Sequence, residues 1–299
     1  MKFVLSCLFV VFTNGLIPFM HPMRNEVNLR KMRTVVMAEA IIGPRPGPPG
    51  VYDAAMTTGA AKASLPNAKL LTLGFLSGCH IGLGAFLMIS CGGMCPGLKE
   101  TNPGAMRALS GVFGLPTGLI MVLGGGGELV TGNFALIAAA WANGKATLKN
   151  LLRNWSVVFF ANFLGSLTLA AIAALANTGV TSGAIAIATG KVSAPFMAAF
   201  CKGILCNWLV SMAVYMSLVH KDLASKGVAI IFPISAFVAL GLEHSVANMF
   251  IIPFAMLLGA KITIADFLIK NLLPVTLGNI IGGALFVGLA YYNVYGTNK

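Results

Sequence analysis

Two stretches of the sequence carry the same polar residues at the same spacing: Glu128-Leu-Val-Thr-Gly-Asn133 and Glu243-His-Ser-Val-Ala-Asn248. In each half, a Lys-x-Thr triplet, a basic residue followed by Asn, a second Asn and a Gly come next in the same order. These residues are Lys145, Thr147, Arg153, Asn154, Asn162 and Gly165 in the first half and Lys261, Thr263, Lys270, Asn271, Asn279 and Gly282 in the second. The match indicates an internal repeat.

The composition is that of a membrane protein. Hydrophobic residues make up 57% of the 299-residue chain and charged residues only 9%, and the mean hydropathy is +0.86. A soluble domain carries about a quarter charged residues, so most of this surface must face lipid. The net charge of +12 lies in short groups between apolar runs, as the positive-inside rule describes. No basic face with interleaved aromatics remains for a nucleic-acid partner.

Six apolar segments are long enough to cross a bilayer, at approximately 69–95, 108–141, 152–176, 195–219, 228–259 and 272–294. The second and fifth exceed the roughly 20 residues that a crossing needs, and each is interrupted, at 124–128 and 241–244. Broken helices in corresponding positions are typical of a transport site. The sequence therefore predicts an all-α polytopic protein of six transmembrane helices, built as two inverted three-helix repeats at about 62–176 and 191–295.

Residues 1–60 are predicted to be a targeting region, and residues 61–299 the transport domain. An apolar run from Phe3 to Val11 precedes a basic, acid-poor stretch, which resembles the two-part presequence of some plastid proteins. A secretory signal peptide is the alternative. The Pro/Gly-rich segment 43–50 is predicted not to form regular helix.

The acidic residues Glu128 and Glu243 are the two of eight that lie within apolar spans. A carboxylate there is costly, so it is retained for a purpose. Two interpretations stay open: the carboxylates cap the backbone at the helix breaks, which is favoured, or they act directly in transport. Cys91 and Cys95 lack the partners of a zinc site, and neither a metal nor a cofactor is expected.

The segment Gly241-Leu-Glu-His-Ser-Val-Ala-Asn-Met-Phe250 resembles the formate–nitrite transporter family, and so do 271–283 and 127–133. The resemblance covers about 62–295. It implies an aquaporin-like protomer in a homopentamer, with one pore in each protomer.

The resemblance also implies roles for individual residues. His244 matches the central pore histidine, Thr131 and Asn207 its neighbours, and Lys62 and Lys191 the vestibule lysines. The implied apolar constrictions are Leu115, Leu119, Val130, Val210 and Phe237, with valine at position 130 where phenylalanine is common in the family. The residues predicted to scaffold the helix breaks are Glu128, Asn133, Asn162, Glu243, Asn248 and Asn279.

The expected function is transport of nitrite or formate across a lipid membrane, with passage in a neutral, protonated form. His244 either donates the proton or only polarises the anion. An aquaporin-type pore for neutral solutes is the alternative, although the sequence contains no Asn-Pro-Ala motif. No nucleophile–base pair or haem-bundle histidines indicate an enzyme. His80 is predicted to pack or to line a vestibule, and Lys202 to face a vestibule or to snorkel.

Overall fold

Apolar length and the placement of glycine and proline determine where the helices begin and end in this computed structural model, which describes residues 47–296. Within that range the chain is helical, with short connections. The helices are α1 (Pro48–Ser64), α2 (Asn67–Met88), α3 (Pro96–Thr101), α4 (Pro103–Val112), α5 (Leu115–Gly124), α6 (Val130–Ala142), α7 (Leu148–Ala176), α8 (Thr181–Val192), α9 (Phe196–Ser217), α10 (Leu223–Ala239), α11 (Ser245–Leu257) and α12 (Asp266–Gly296).

Six membrane-spanning units follow from these helices. Four are single long apolar helices: α2 with its π-helical extension Ile89–Gly93, α7, α9 and α12. The other two are interrupted, because α4 and α5 are separated from α6, and α10 is separated from α11. Each repeat therefore contributes an odd number of spans, so the second enters the membrane from the opposite side. The predicted fold class is confirmed: an aquaporin-like pair of inverted three-helix repeats with broken second and fifth spans.

The two breaks have nearly the same backbone conformation. Gly126 has φ +68° and Gly241 has φ +69°, a region that glycine enters at little cost. The chain then becomes extended at Leu129 (φ −111°, ψ 119°) and at His244 (φ −112°, ψ 119°), and a new helix starts at the next residue. Leu129 and His244 are thus structural counterparts.

Close helix packing around glycine holds each repeat together. A Cβ atom added to Gly282 on α12 would overlap the backbone carbonyl of Ile204 on α9, and one added to Gly165 on α7 would overlap that of Phe75 on α2. Small residues let helix backbones approach in this way within membranes.

Gly282→Ala is expected to destabilise the protein by about 1–3 kcal/mol, because overpacking a tight contact forces the backbones apart. The readout is thermal unfolding of the purified protein in detergent. Gly97→Ala is the matched control, since a Cβ there meets no atom within 4 Å. Equal melting temperatures for the two variants would contradict this packing role.

The first described helix begins inside the segment predicted to be a targeting region. Helix α1 starts at Pro48, inside the segment expected not to form helix, and continues through residues assigned to the targeting region. Prolines in the first turn of a helix lose no hydrogen bond, because those N–H groups have no helical partner. Tyr52 is 1% exposed, so α1 packs into the body of the protein. The predicted targeting region covers 1–60; its residues 1–46 lie outside the described residues, and the targeting role stays a prediction.

Candidate functional site

One asparagine amide holds the first helix break in place. Asn162 donates from Nδ2 to the backbone carbonyls of Gly74 (2.7 Å) and Glu128 (2.9 Å). Its Oδ1 accepts from the backbone N–H of Val130 at 3.0 Å. Asn162 is fully buried, so a single side chain satisfies two backbone groups at the break, the Glu128 carbonyl and the Val130 N–H, and ties them to the Gly74 carbonyl of α2.

Asn279 makes the same three bonds at the second break. Its Nδ2 donates to the carbonyls of Gly203 (2.8 Å) and Glu243 (3.0 Å), and its Oδ1 accepts from the N–H of Ser245 at 2.8 Å. Among the six residues predicted to scaffold the helix breaks, Asn162 and Asn279 are the two whose side chains bind the backbone of the breaks. The two glutamates, favoured as caps from sequence, contribute backbone carbonyls here rather than carboxylate caps.

The Glu128 carboxylate is bound by other side chains. It accepts from Lys62 Nζ at 2.5 Å and from Asn133 Nδ2 at 2.7 Å. Asn133 also donates to Asn154 Oδ1 (2.9 Å), and Asn154 donates back to the carbonyl of Lys62 (3.1 Å). The buried negative charge is thus compensated by a cation and an amide, as a charge in a low-dielectric interior requires.

The Glu243 carboxylate has the corresponding partners. It accepts from Lys191 Nζ at 3.0 Å and from Asn248 Nδ2 at 2.6 Å. Asn248 donates to Asn271 Oδ1 (2.7 Å), and Asn271 donates to the carbonyl of Lys191 (3.1 Å). Lys62 and Lys191, predicted as vestibule cations, are therefore each already paired with a glutamate.

His244 lies at the N-terminal end of α11, where the two repeats meet. Its Nδ1 accepts from the backbone N–H of Ala247 at 3.0 Å, and its Nε2 lies 3.0 Å from Thr131 Oγ1. An accepting Nδ1 assigns the hydrogen of the neutral ring to Nε2, which then donates to the threonine hydroxyl. The imidazole also stacks on Phe237, with ring centroids 5.9 Å apart.

Asn207 ties the central threonine to the second repeat. Its Nδ2 donates to the backbone carbonyls of Thr131 (3.0 Å) and Asn279 (2.6 Å). The predicted trio His244, Thr131 and Asn207 is therefore brought together, with Asn207 acting on the backbone rather than on the imidazole.

Two cavities meet at His244. The larger, here called the vestibule, has a volume of about 520 Å³, and the smaller, here called the inner chamber, about 10 Å³. Leu115, Phe237 and His244 line both cavities, so they form the neck between them. The remaining residues of the inner chamber are apolar: Ile81, Leu119, Leu129, Val210 and Ile234.

The structure places four of the five predicted constriction residues around the inner chamber: Leu115, Leu119, Val210 and Phe237. Val130 lines neither of the two cavities, and its backbone N–H instead serves the break. Leu129, the residue before Val130, lines the inner chamber instead. The spacing of the repeat could have identified Leu129, because it follows Glu128 as His244 follows Glu243. Ile81 and Ile234 stand in apolar runs that carry no such signal.

The vestibule is rich in cations. Lys99, Arg107, Lys191 and Lys202 line it, and Glu243 is the one acidic residue among its described lining residues. Lys202 thus faces the vestibule, one of the two positions expected for it. His80 lines neither of these cavities, and its Nδ1 is buried without a hydrogen-bond partner.

Inverted repeats whose broken helices surround a polar site between cavities define an integral membrane channel or transporter, which is not an enzyme. The chain belongs to the formate/nitrite transporter family: the sequence profile described as "Formate/nitrite transporter" matches residues 49–293.

Individual relatives support this assignment. The chain is 42% identical to the uncharacterized transporter YrhG of Bacillus subtilis, over 83% of this chain and 93% of the relative. It is 36% identical to the formate channel BtFdhC of Bacillus thuringiensis, over 83% of this chain and 95% of the relative. It is 35% identical to the formate channel FocA of Escherichia coli (strain K12), over 65% of this chain and 76% of the relative.

Solved structures show the same fold. A pentameric formate channel with formate bound superposes with a TM-score of 0.69 and 34% identity, covering 77% of this chain and 98% of that one. An ion channel of the same family superposes with a TM-score of 0.74 and 28% identity, covering 82% of this chain and 98% of that one.

Proposed function

We propose that this protein carries small monovalent anions, formate and nitrite, through the pore formed by the vestibule and the inner chamber. The observation that supports this most directly is the His244–Thr131 pair at 3.0 Å, at the neck between a cationic vestibule and an apolar chamber. Relatives named as formate channels support formate as a substrate. We further propose that the protomers assemble as a homopentamer, as the related formate channel does; native mass spectrometry tests this.

The apolar chamber determines the chemistry of passage. A bare anion would lose its water there at a cost of many kcal/mol. Formate and nitrite are conjugate bases of weak acids, and desolvation makes such an anion more basic. An anion that gains a proton at the neck crosses the chamber as a neutral acid. Cations around the vestibule raise the local anion concentration at its entrance.

The hydrogen bonds of His244 favour a polarising role over direct proton donation. Its Nδ1 lone pair is occupied by the Ala247 N–H, so a second proton on the ring would remove a helix cap. The neutral ring instead presents the Nε2–H at the neck, where it can bind the anion in exchange for Thr131. In this mechanism the transferred proton comes from hydronium in the vestibule, which is left behind as water.

Uptake into proteoliposomes across an imposed pH gradient tests the proposal. Formate and nitrite uptake should be driven by an inward proton gradient and should stop when protonophore collapses it. Water or glycerol flux with neither formate nor nitrite uptake would instead support a neutral-solute pore.

The inner chamber should select against longer anions. A cavity of about 10–15 Å³ holds about one water molecule. The inner chamber is of this size, so it accommodates compact formate and nitrite better than the longer lactate. We expect formate and nitrite uptake to exceed lactate uptake by at least roughly tenfold, the discrimination that a tight apolar pocket gives against added carbon.

Phe237→Ala, which widens the neck, should reduce this ratio. Phe232→Ala on the same helix is the matched control, because Phe232 is 72% exposed. Lactate uptake equal to formate uptake in the unaltered protein would rule out size selection by the chamber.

A further inference from the structure

The vestibule carries several positive charges that no acidic residue of the described range offsets. Lys99, Arg107 and Lys202 line it together with Lys191. Glu243 already neutralises Lys191, whereas the other three form no ion pair with any carboxylate of the described residues. Three uncompensated cations therefore face one cavity.

These cations approach the cavity from separate parts of the fold. Lys99 is on α3, Arg107 on α4 and Lys202 on α9. The hydroxyl-bearing residues Ser110 and Ser182 line the same walls. Several cations and neutral donors in the wall of one cavity are suited to an anion that offers several oxygens and more than one charge.

Size and charge keep such an anion in the vestibule. The vestibule, at about 520 Å³, has ample room for a tetrahedral oxyanion, whereas the inner chamber has a volume of about 10 Å³. A dianion also stays charged after gaining one proton, so the desolvation cost at the neck remains. It can bind in front of His244 without passing.

We propose that the vestibule is a binding site for a free polyvalent oxyanion of the sulfate or phosphate type, and that this anion blocks entry of the monovalent substrate. Binding by Lys99, Arg107 and Lys202 does not depend on the transported substrate. The blocking action rests on the proposed function, because it requires that formate enter through the same cavity.

Calorimetric titration of inorganic sulfate into the purified protein in phosphatidylcholine nanodiscs tests the binding. The triple variant Lys99→Gln/Arg107→Gln/Lys202→Gln should bind sulfate at least about tenfold more weakly, because the attraction of three charges is lost. Lys261→Gln, which removes an exposed lysine outside the vestibule lining, should bind as the unaltered protein does. Absence of saturable sulfate binding to the unaltered protein would overturn the proposal.

A second measurement needs no variant. In acetylation footprinting of the unaltered protein, sulfate should protect Lys99 and Lys202 but leave Lys261 reactive; equal reactivity of all three with and without sulfate would also overturn the site. Phosphatidic acid added to the nanodiscs distinguishes a lipid headgroup from a free ion. If that lipid displaces sulfate and itself protects Lys99 and Lys202, the occupant is a headgroup and the proposal of a free ion is wrong.

Formate uptake into proteoliposomes tests the blocking action. Sulfate should raise the KM for formate without changing the maximal rate, and the triple variant should lose this competition. Formate uptake without sulfate binding would overturn this inference alone. Sulfate binding without formate uptake would leave the site in place and overturn the proposed function.

Discussion

His244→Ala is expected to lower formate uptake by roughly a hundredfold, the order seen when a buried donor to a developing charge is removed. Alanine removes the Nε2–H from the neck, where it faces Thr131 at 3.0 Å. It also removes the Nδ1 acceptor that binds the Ala247 N–H at 3.0 Å. The anion would then meet the apolar neck without a hydrogen-bond partner.

His244→Asn is the informative companion. Asparagine is a favourable N-cap residue, and its amide keeps both an acceptor for Ala247 and a donor for the pore. We expect its uptake to stay within about tenfold of the unaltered protein and to keep the same dependence on external pH. Both variants are measured in proteoliposomes after size-exclusion chromatography has shown intact assembly. An asparagine variant that transports formate but has lost its pH dependence would make the imidazole itself the proton donor.

The positions of the helix breaks could be read from the sequence, because they leave a local signature. Glycines at 126 and 241, each followed by an acidic residue within an apolar run, mark where a membrane helix cannot continue. Equal spacing from Glu128 to Asn133 and from Glu243 to Asn248 then relates the two breaks as repeats. Fold class followed from these features together with segment length.

The hydrogen-bond partners at the breaks could not be read in the same way. A break leaves both N–H and C=O groups unpaired, and a carboxylate can only accept, whereas an amide both donates and accepts. Asn162 and Asn279 therefore meet a mixed requirement that Glu128 and Glu243 cannot. Recognising this from sequence requires knowing that α7 and α12 run beside the breaks.

The long-range ion pair between Lys62 and Glu128 could not be predicted from the sequence either. Lys62 lies at the end of α1 and Glu128 at the first break, 66 positions apart along the chain. The family resemblance implies that Lys62 is a vestibule lysine, and nothing in its neighbouring sequence indicates a carboxylate partner. Helix α1, which starts at a Pro-Pro-Gly sequence, brings this lysine to the carboxylate.

The largest loss of stability is expected for Asn279→Ala. The substitution leaves the Glu243 carbonyl and the Ser245 N–H without their partner in a fully buried position, and it removes the bond that ties the break to the Gly203 carbonyl of α9. Each buried group left unpaired costs about 1–3 kcal/mol, so the loss from these two groups is a large fraction of the stability of an ordinary domain. We expect loss of folded protein or a sharp fall in its thermal midpoint in detergent.

Asn162→Ala should have an effect of similar size, because Asn162 makes the corresponding three bonds at the first break. Leu285→Ala on the same helix as Asn279 is the control, since Leu285 is 52% exposed and its truncation leaves no polar group unpaired. If the Asn279→Ala protein had the same thermal midpoint as the Leu285→Ala control, water would replace the amide at the break. The breaks would then be held by the Lys62–Glu128 and Lys191–Glu243 pairs, and the two helix ends around His244 would be positioned by charge rather than by the asparagines.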